Sequence, residues 1–204
     1  MKKIILLFVL AVSLSFGQDV KFGVRGGVNI SDWKTSNSNF DLDGVSLSGL
    51  ESQLDFNLGF FVDFKVSNKF SIQPEMIYSR QGTYTKLTFE GISADAYFNN
   101  DYINVPILFK YHPTDKFFLF AGPQVGFLLE GNVNIIALGE SFKEDATEIF
   151  NSVDFSASIG AGVNLTNKLF VDVRYNHGFS NLGKESDGEK TTNSVFQLGL
   201  GYRF

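Results

Sequence analysis

The 204-residue chain contains no cysteine. That excludes disulfides and thiolate metal sites, and it excludes a lipoprotein anchored through an amino-terminal cysteine. Charge is scarce as well. Asp, Glu, Lys and Arg make up 19% of residues with a net charge of −5, which leaves no basic patch for nucleic acid. Histidine occurs only at His112 and His177. Beyond the amino terminus no apolar run approaches the ~20 residues of a transmembrane helix. A membrane-bound mature chain would therefore cross as strands. The length suits one domain.

The first residues read as an export signal. Lys2 and Lys3 precede the apolar run Ile4 to Val12, and Ser15-Phe16-Gly17 supplies small residues before Gln18. The expected organisation is a signal peptide over residues 1–17 and one domain over 18–204.

What the chain has in quantity is aromatic residues in strict alternation. In the closing stretch Ser194 to Phe204, Phe196, Leu198, Leu200, Tyr202 and Phe204 take every second position. A period of two is a strand with one apolar face. This ending resembles the carboxy-terminal assembly signal of bacterial outer-membrane proteins, which implies the barrel-assembly machinery as a partner. Seven further strands follow by the same parity. The second, Leu54 to Val66, is the cleanest, with Leu54, Phe56, Leu58, Phe60, Val62, Phe64 and Val66 on one side. Along the third, Arg80 is the one charge whose parity falls on the apolar side. In the fifth, Phe117 to Glu130, both faces are nearly apolar, and only Gln124 and Glu130 mark its inner side.

The connections alternate in length. Short turns at Ser67-Asn68-Lys69, Pro113-Thr114-Asp115 and Thr166-Asn167 separate long segments over 32–53, 87–101, 131–152 and 180–193. Short, long, short, long is the outer-membrane pattern, with both termini periplasmic. A lipocalin-like barrel could alternate too, but its apolar face would point inward, whereas here the polar face holds the glycines and the paired charges. The expected fold is all-β: an eight-stranded antiparallel transmembrane β-barrel of outer-membrane type, in contact with lipid. Ten strands is the other count, because Asn132 to Leu138 also reads as strand or as an extension above the membrane.

The stretch Tyr102-Ile103-Asn104-Val105-Pro106-Ile107-Leu108-Phe109-Lys110-Tyr111 resembles the "Y-I-x-x-P-x-L-x-K-Y" segment of the PorT-like outer-membrane β-barrel family. Ala121 to Gly126, Gly160 to Val163 and Asp172 to Gly178 resemble further segments of it, in the family's order. The resemblance implies the fold and the Gram-negative outer membrane, with a hint of a role in secretion. Its motifs are scaffold motifs and carry no chemistry.

Three constellations could carry function. On the polar face, Arg25, Asp63, Glu75, Lys110, Asp172 and Arg174 fall at similar heights, with Lys65 and Arg203 lower. Charges confined in a narrow interior should neutralise one another, which gives a plug; the alternative is an ion path. His177 with Ser180, Ser186 and Asp187 would be a loop-borne hydrolytic site, though no nucleophile turn accompanies it. Asn39 to Gly44 resembles the opening of a calcium loop, but Glu51 misses the closing position by one. No metal, cofactor or catalytic residue is assigned, and the chain is not expected to be an enzyme. The functional expectation is a structural or interaction barrel acting through external loops whose partner the sequence does not name, or else a narrow porin-like channel.

Deleting Tyr202 to Phe204 should abolish membrane insertion, because strand addition at this end needs both the backbone pairing and the alternate side chains. Outer-membrane levels of the truncated chain equal to wild type would refute the role given to this strand.

Overall fold

The computed structural model describes residues 20–35, 45–47, 50–89, 92–137, 140–184 and 190–204. The expected signal peptide, the calcium-like stretch 39–44, and Ser186 and Asp187 lie outside the described residues.

The period-two pattern becomes a continuous antiparallel sheet of β1 (Val20–Thr35), β2 (Val45–Leu47), β3 (Glu51–Lys65), β4 (Phe70–Phe89) and β5 (Ile92–Tyr111). It continues through β6 (Phe117–Ala137), β7 (Glu140–Asp145), β8 (Val153–Asn164), β9 (Leu169–Gly178) and β10 (Thr191–Arg203). Among the described residues, eight long strands close a ring in the order β1, β3, β4, β5, β6, β8, β9, β10 and back to β1. The seam runs from Gly23 opposite Arg203 to Thr35 opposite Thr191. β2 lies on β4 and β7 on β6, both outside the ring. Asn132 to Ala137 is therefore the upper end of β6 rather than a ninth staple of the wall.

Each short turn is closed by a hydroxyl. Ser67 Oγ accepts from the backbone N–H of Lys69 and Phe70, Thr114 Oγ1 from Phe117, and Thr166 Oγ1 from Lys168 and Leu169. Such side chains mimic a backbone turn and fix the register of the hairpin. At the other end the strands outrun the sequence reading. The segment read as a long loop over 87–101 is mostly paired strand, from Arg80 opposite Asp101 to Phe89 opposite Ile92. There the hairpin lies beyond the apolar band, and the alternation of large apolar residues that marks a strand fades.

One parity reading fails. Gln124 points inward as expected, but Glu130 is outward, its side chain about half exposed beside Lys143. A bulge is responsible: Asp101 pairs with Glu130, yet Tyr102 pairs with Leu128. The extra residue flips every side chain beyond it.

Outside, Phe22, Leu54, Phe56, Leu58, Phe60, Met76, Phe109 and Phe155 are exposed, forming an apolar belt. Inside, toward the short turns, Phe61, Leu108, Phe118, Phe120 and Phe170 form the apolar core. Four of these rings sit opposite a glycine on the neighbouring strand: Phe61 and Gly23, Phe118 and Gly162, Phe120 and Gly160, Phe170 and Gly201. Only a missing side chain leaves room for a ring lying flat on the wall of so narrow a barrel.

A Cβ on Gly162 would collide with the Phe118 ring. Gly162→Val should cost ~1–3 kcal/mol by overpacking, read as a lower urea midpoint for the compact band of unboiled samples. Adding Phe118→Leu should recover part of the loss. An unchanged midpoint in the single variant would show that the ring does not depend on the glycine.

Candidate functional site

The barrel's inward face brings the six expected charges together as three ion pairs. Arg25 donates from Nε to Asp172 Oδ2 at 2.9 Å, from Nη2 to Oδ1 at 2.6 Å, and from Nη1 to Asn57 Oδ1 at 2.7 Å. Gly199, on the strand between them, makes this reach possible, since a side chain there would strike the guanidinium. Arg174 donates to Glu75 through Nη1 at 2.8 Å and Nη2 at 3.0 Å. Lys110 Nζ donates to Asp63 Oδ2 at 3.2 Å and Gln73 Oε1 at 2.8 Å, and it sits 4.3 Å from the centre of the Phe118 ring. Gln73 in turn donates to Glu75 at 2.6 Å, tying the second pair to the third. Arg25, Lys110 and Arg174 are each 2% exposed.

The choice of partners follows from the ring. Parity leaves Asp172, Asp63 and Glu75 all open as partners for Arg174, with Asp172 on the same strand and face. Arg25 takes Asp172, and Arg174 reaches Glu75 on β4, the strand diametrically opposite β9 in the ring. A bidentate guanidinium–carboxylate pair thus crosses the lumen at mid-height. Two-point contacts of this kind are stronger and more directional than a lysine pair.

Toward the loop end the fill changes from charge to amide. Asn29 Oδ1 accepts from Asn57 at 2.6 Å and Gln197 at 3.0 Å, while Asn29 Nδ2 donates to Ser79 at 2.9 Å. Gln81 donates to Ser79 at 2.9 Å and accepts from Asn193. Parity alone puts Asn29, Asn57 and Gln197 inside; their bonding to one another is visible only in three dimensions. Above them Trp33 packs on Phe98 and Phe150 at centroid distances of 5.4 and 5.5 Å. Phe150 follows the 3₁₀ turn Thr147–Ile149 and is held by a bridge to Gly183 and by Asn151, whose Nδ2 donates to the carbonyls of Asn181 and Gly183. The sequence reading missed this aromatic cap because its parts come from three separate connections.

The remaining candidates lie away from the lumen. Phe196, Leu198, Leu200, Tyr202 and Phe204 all point outward, on a strand paired on both sides. Arg80 is outward too, but it is paired, donating to Asp101 through Nε at 2.8 Å and Nη2 at 2.9 Å. His177 is sandwiched between Tyr175 and Phe179, and Ser180 Oγ accepts from Phe155 N–H. Among the described residues, no group of three His, Asp or Glu is placed to hold a metal.

A closed antiparallel ring with an apolar exterior and a polar, charge-paired interior is an outer-membrane β-barrel. The chain belongs to the outer membrane protein beta-barrel domain family, whose model matches residues 16–183. The outer membrane is accordingly its location. Among solved structures it is similar to Ail, the attachment invasion locus protein of Yersinia pestis, at 17% identity and a TM-score of 0.52, over 92% of this chain and 100% of that one. The same protein in complex with the heparin analogue sucrose octasulfate gives 16% and 0.53, with the same coverage. Neisserial surface protein A gives 9% and 0.48, again over 92% and 100%. No curated protein matches the chain.

Removing one member of the central pair should be costly and removing both less so. Arg174→Met strands Glu75 without its partner, and breaking a buried pair typically costs ~3–5 kcal/mol. Arg174→Met with Glu75→Gln should restore part of that. A denaturation series on Arg174→Met, Glu75→Gln and the double variant that shows no coupling would mean that water, and not the pair, carries the two charges.

Proposed function

We propose that this barrel is a closed outer-membrane scaffold that works through the structure at its loop end, with the short turns and both termini in the periplasm. The observation that supports this most is the Arg174–Glu75 pair lying across the lumen, with the Phe61, Phe118 and Phe170 rings packed beside it toward the short turns. An eight-stranded interior is only wide enough for side chains, and here they meet in the middle. On this reading an ion passing the centre of the lumen has to part the Arg174–Glu75 pair.

The β4–β5 and β6–β7 hairpins rise beyond the apolar belt and form the surface offered to a partner. Residues 130–148 carry Glu130, Glu140, Glu144, Asp145 and Glu148 against Lys143 alone, five acids to one base. That charge favours a cationic partner and disfavours a sulfated polyanion of the kind bound by the Ail structure. The resemblance of Tyr102 to Tyr111 to the PorT-like family supports one form of this role, an accessory to protein secretion.

Reconstituted in a planar bilayer, the barrel should give no sustained conductance. Steady ion-selective steps in the wild type, lost when the barrel is heat-unfolded, would replace the scaffold with the channel.

A further inference from the structure

Above the ring one strand keeps an open edge. β7 pairs with β6 along its whole length, from Asn132 opposite Asp145 to Ala137 opposite Glu140, with no shift of register. Among the described residues it pairs with no other strand, and all six of its residues are exposed. A strand bonded on one side only presents a row of backbone N–H and C=O groups on the other. Proteins commonly blunt such an edge with proline, a bulge or a very short strand, and β7 has none of these.

Alternation sorts its side chains onto two faces. Ser141, Lys143 and Asp145 share one, and they are engaged within the hairpin and the turn that follows it. Lys143 Nζ lies 3.8 Å from Glu130, Ser141 donates to Asn134 Oδ1 at 2.7 Å, and Asp145 Oδ1 accepts from the Thr147 N–H at 2.8 Å. Glu140, Phe142 and Glu144 share the other face. There Phe142 is 57% exposed and stands opposite Ile135, also exposed, so an apolar pair lies open between two acids. Lys143, the one base between residues 130 and 148, is turned to the opposite face beside Glu130.

We infer that β7 is the docking edge for an extended, basic segment of a partner protein, which adds to it as one further antiparallel strand. In strand addition the backbone gives affinity and alternate side chains select the partner. Residues directly opposite on one face are the ones that interact. The segment that fits therefore places basic residues against Glu140 and Glu144 and a large apolar residue against Phe142, in the order basic, any, apolar, any, basic. The same acids disfavour a second copy of this chain. In the register that sets Phe142 against itself, each Glu140 would oppose a Glu144, and like charges directly opposite are destabilising. The inference rests on the reading of the loop end as the working surface, and it adds the partner's backbone form and side-chain pattern.

The probe is a fluorescent ten-residue peptide built around Lys-Thr-Phe-Thr-Lys, titrated into the folded barrel in an uncharged detergent. Anisotropy reports binding, and amide hydrogen exchange over 140–145 reports where it occurs. Saturable binding that slows exchange in β7 is expected. Glu140→Gln with Glu144→Gln should weaken it about ten-fold or more, and Phe142→Ser should weaken it too. Asp115→Asn, in an exposed short turn at the far end, should leave it unchanged. A peptide reordered to Lys-Lys-Phe-Thr-Thr should bind less tightly at the same charge. Methylating alternate peptide amides should abolish binding in one phase and spare it in the other, because an added strand uses only one of its own edges. Equal binding of both methylated peptides and the parent would reduce the effect to charge attraction and overturn the inference. Wild-type affinity in the double variant, or no saturable binding, would do the same. Slowed exchange that tracks barrel concentration without peptide would hand the edge to a second copy and also overturn it. Conductance is measured on the same preparation: a conducting barrel that still binds in one methylation phase only refutes the closed scaffold and leaves the docking edge standing.

Discussion

Closing eight strands into a ring leaves an interior no wider than the side chains that point into it, and nearly every other feature of this protein follows from that. The strands must alternate, because one face meets lipid and the other meets its own opposite wall. The inner face must be polar enough to complement the apolar outer one, yet bulk water cannot hydrate what it carries. Charges placed there have to find each other. An isolated buried ion costs several kcal/mol even after relaxation, and the three pairs Arg25–Asp172, Arg174–Glu75 and Lys110–Asp63 offset part of that cost.

The same constraint accounts for the division of the lumen into layers. Near the short turns, rings lie on glycines: Phe118 across from Gly162, Phe170 across from Gly201. They provide an apolar floor that strengthens the electrostatics of the pairs beside them. Toward the loops, Asn, Gln and Ser take over, since amides can satisfy one another where a charge would need a dedicated partner. The projecting β6–β7 hairpin is acidic, whereas the mouth between the short turns mixes Lys21, Lys65 and Arg203 with Asp63 and Asp115.

The architecture was legible in the chain because period two and loop length are local properties. Parity along Leu54 to Val66 or Phe196 to Phe204 needs no tertiary information, and neither does the run of short and long connections. Legibility ended where locality did. Glu130 was read inward because parity assumes an unbroken strand, and the bulge opposite Asp101 and Tyr102 breaks it. The upper half of β5 and the last residues of β4 read as loop because small and polar residues there replace the large alternating apolar ones that mark the lipid-facing span. The cap of Trp33, Phe98 and Phe150 left no pattern, since it is assembled from segments more than fifty residues apart.

The six lumen charges divide along the same line. Alternation alone puts Arg25, Asp63, Glu75, Lys110, Asp172 and Arg174 on one face, since each sits in a strand whose other face is apolar. Their pairing depends on which strand stands opposite which, and on the gap that Gly199 leaves for Arg25 to reach Asp172. Arg174 and Glu75 are 99 positions apart in sequence; only ring closure makes them neighbours. A strand's faces are set by its own residues, whereas a contact across a barrel depends on the number and stagger of all the strands between, which no single segment encodes.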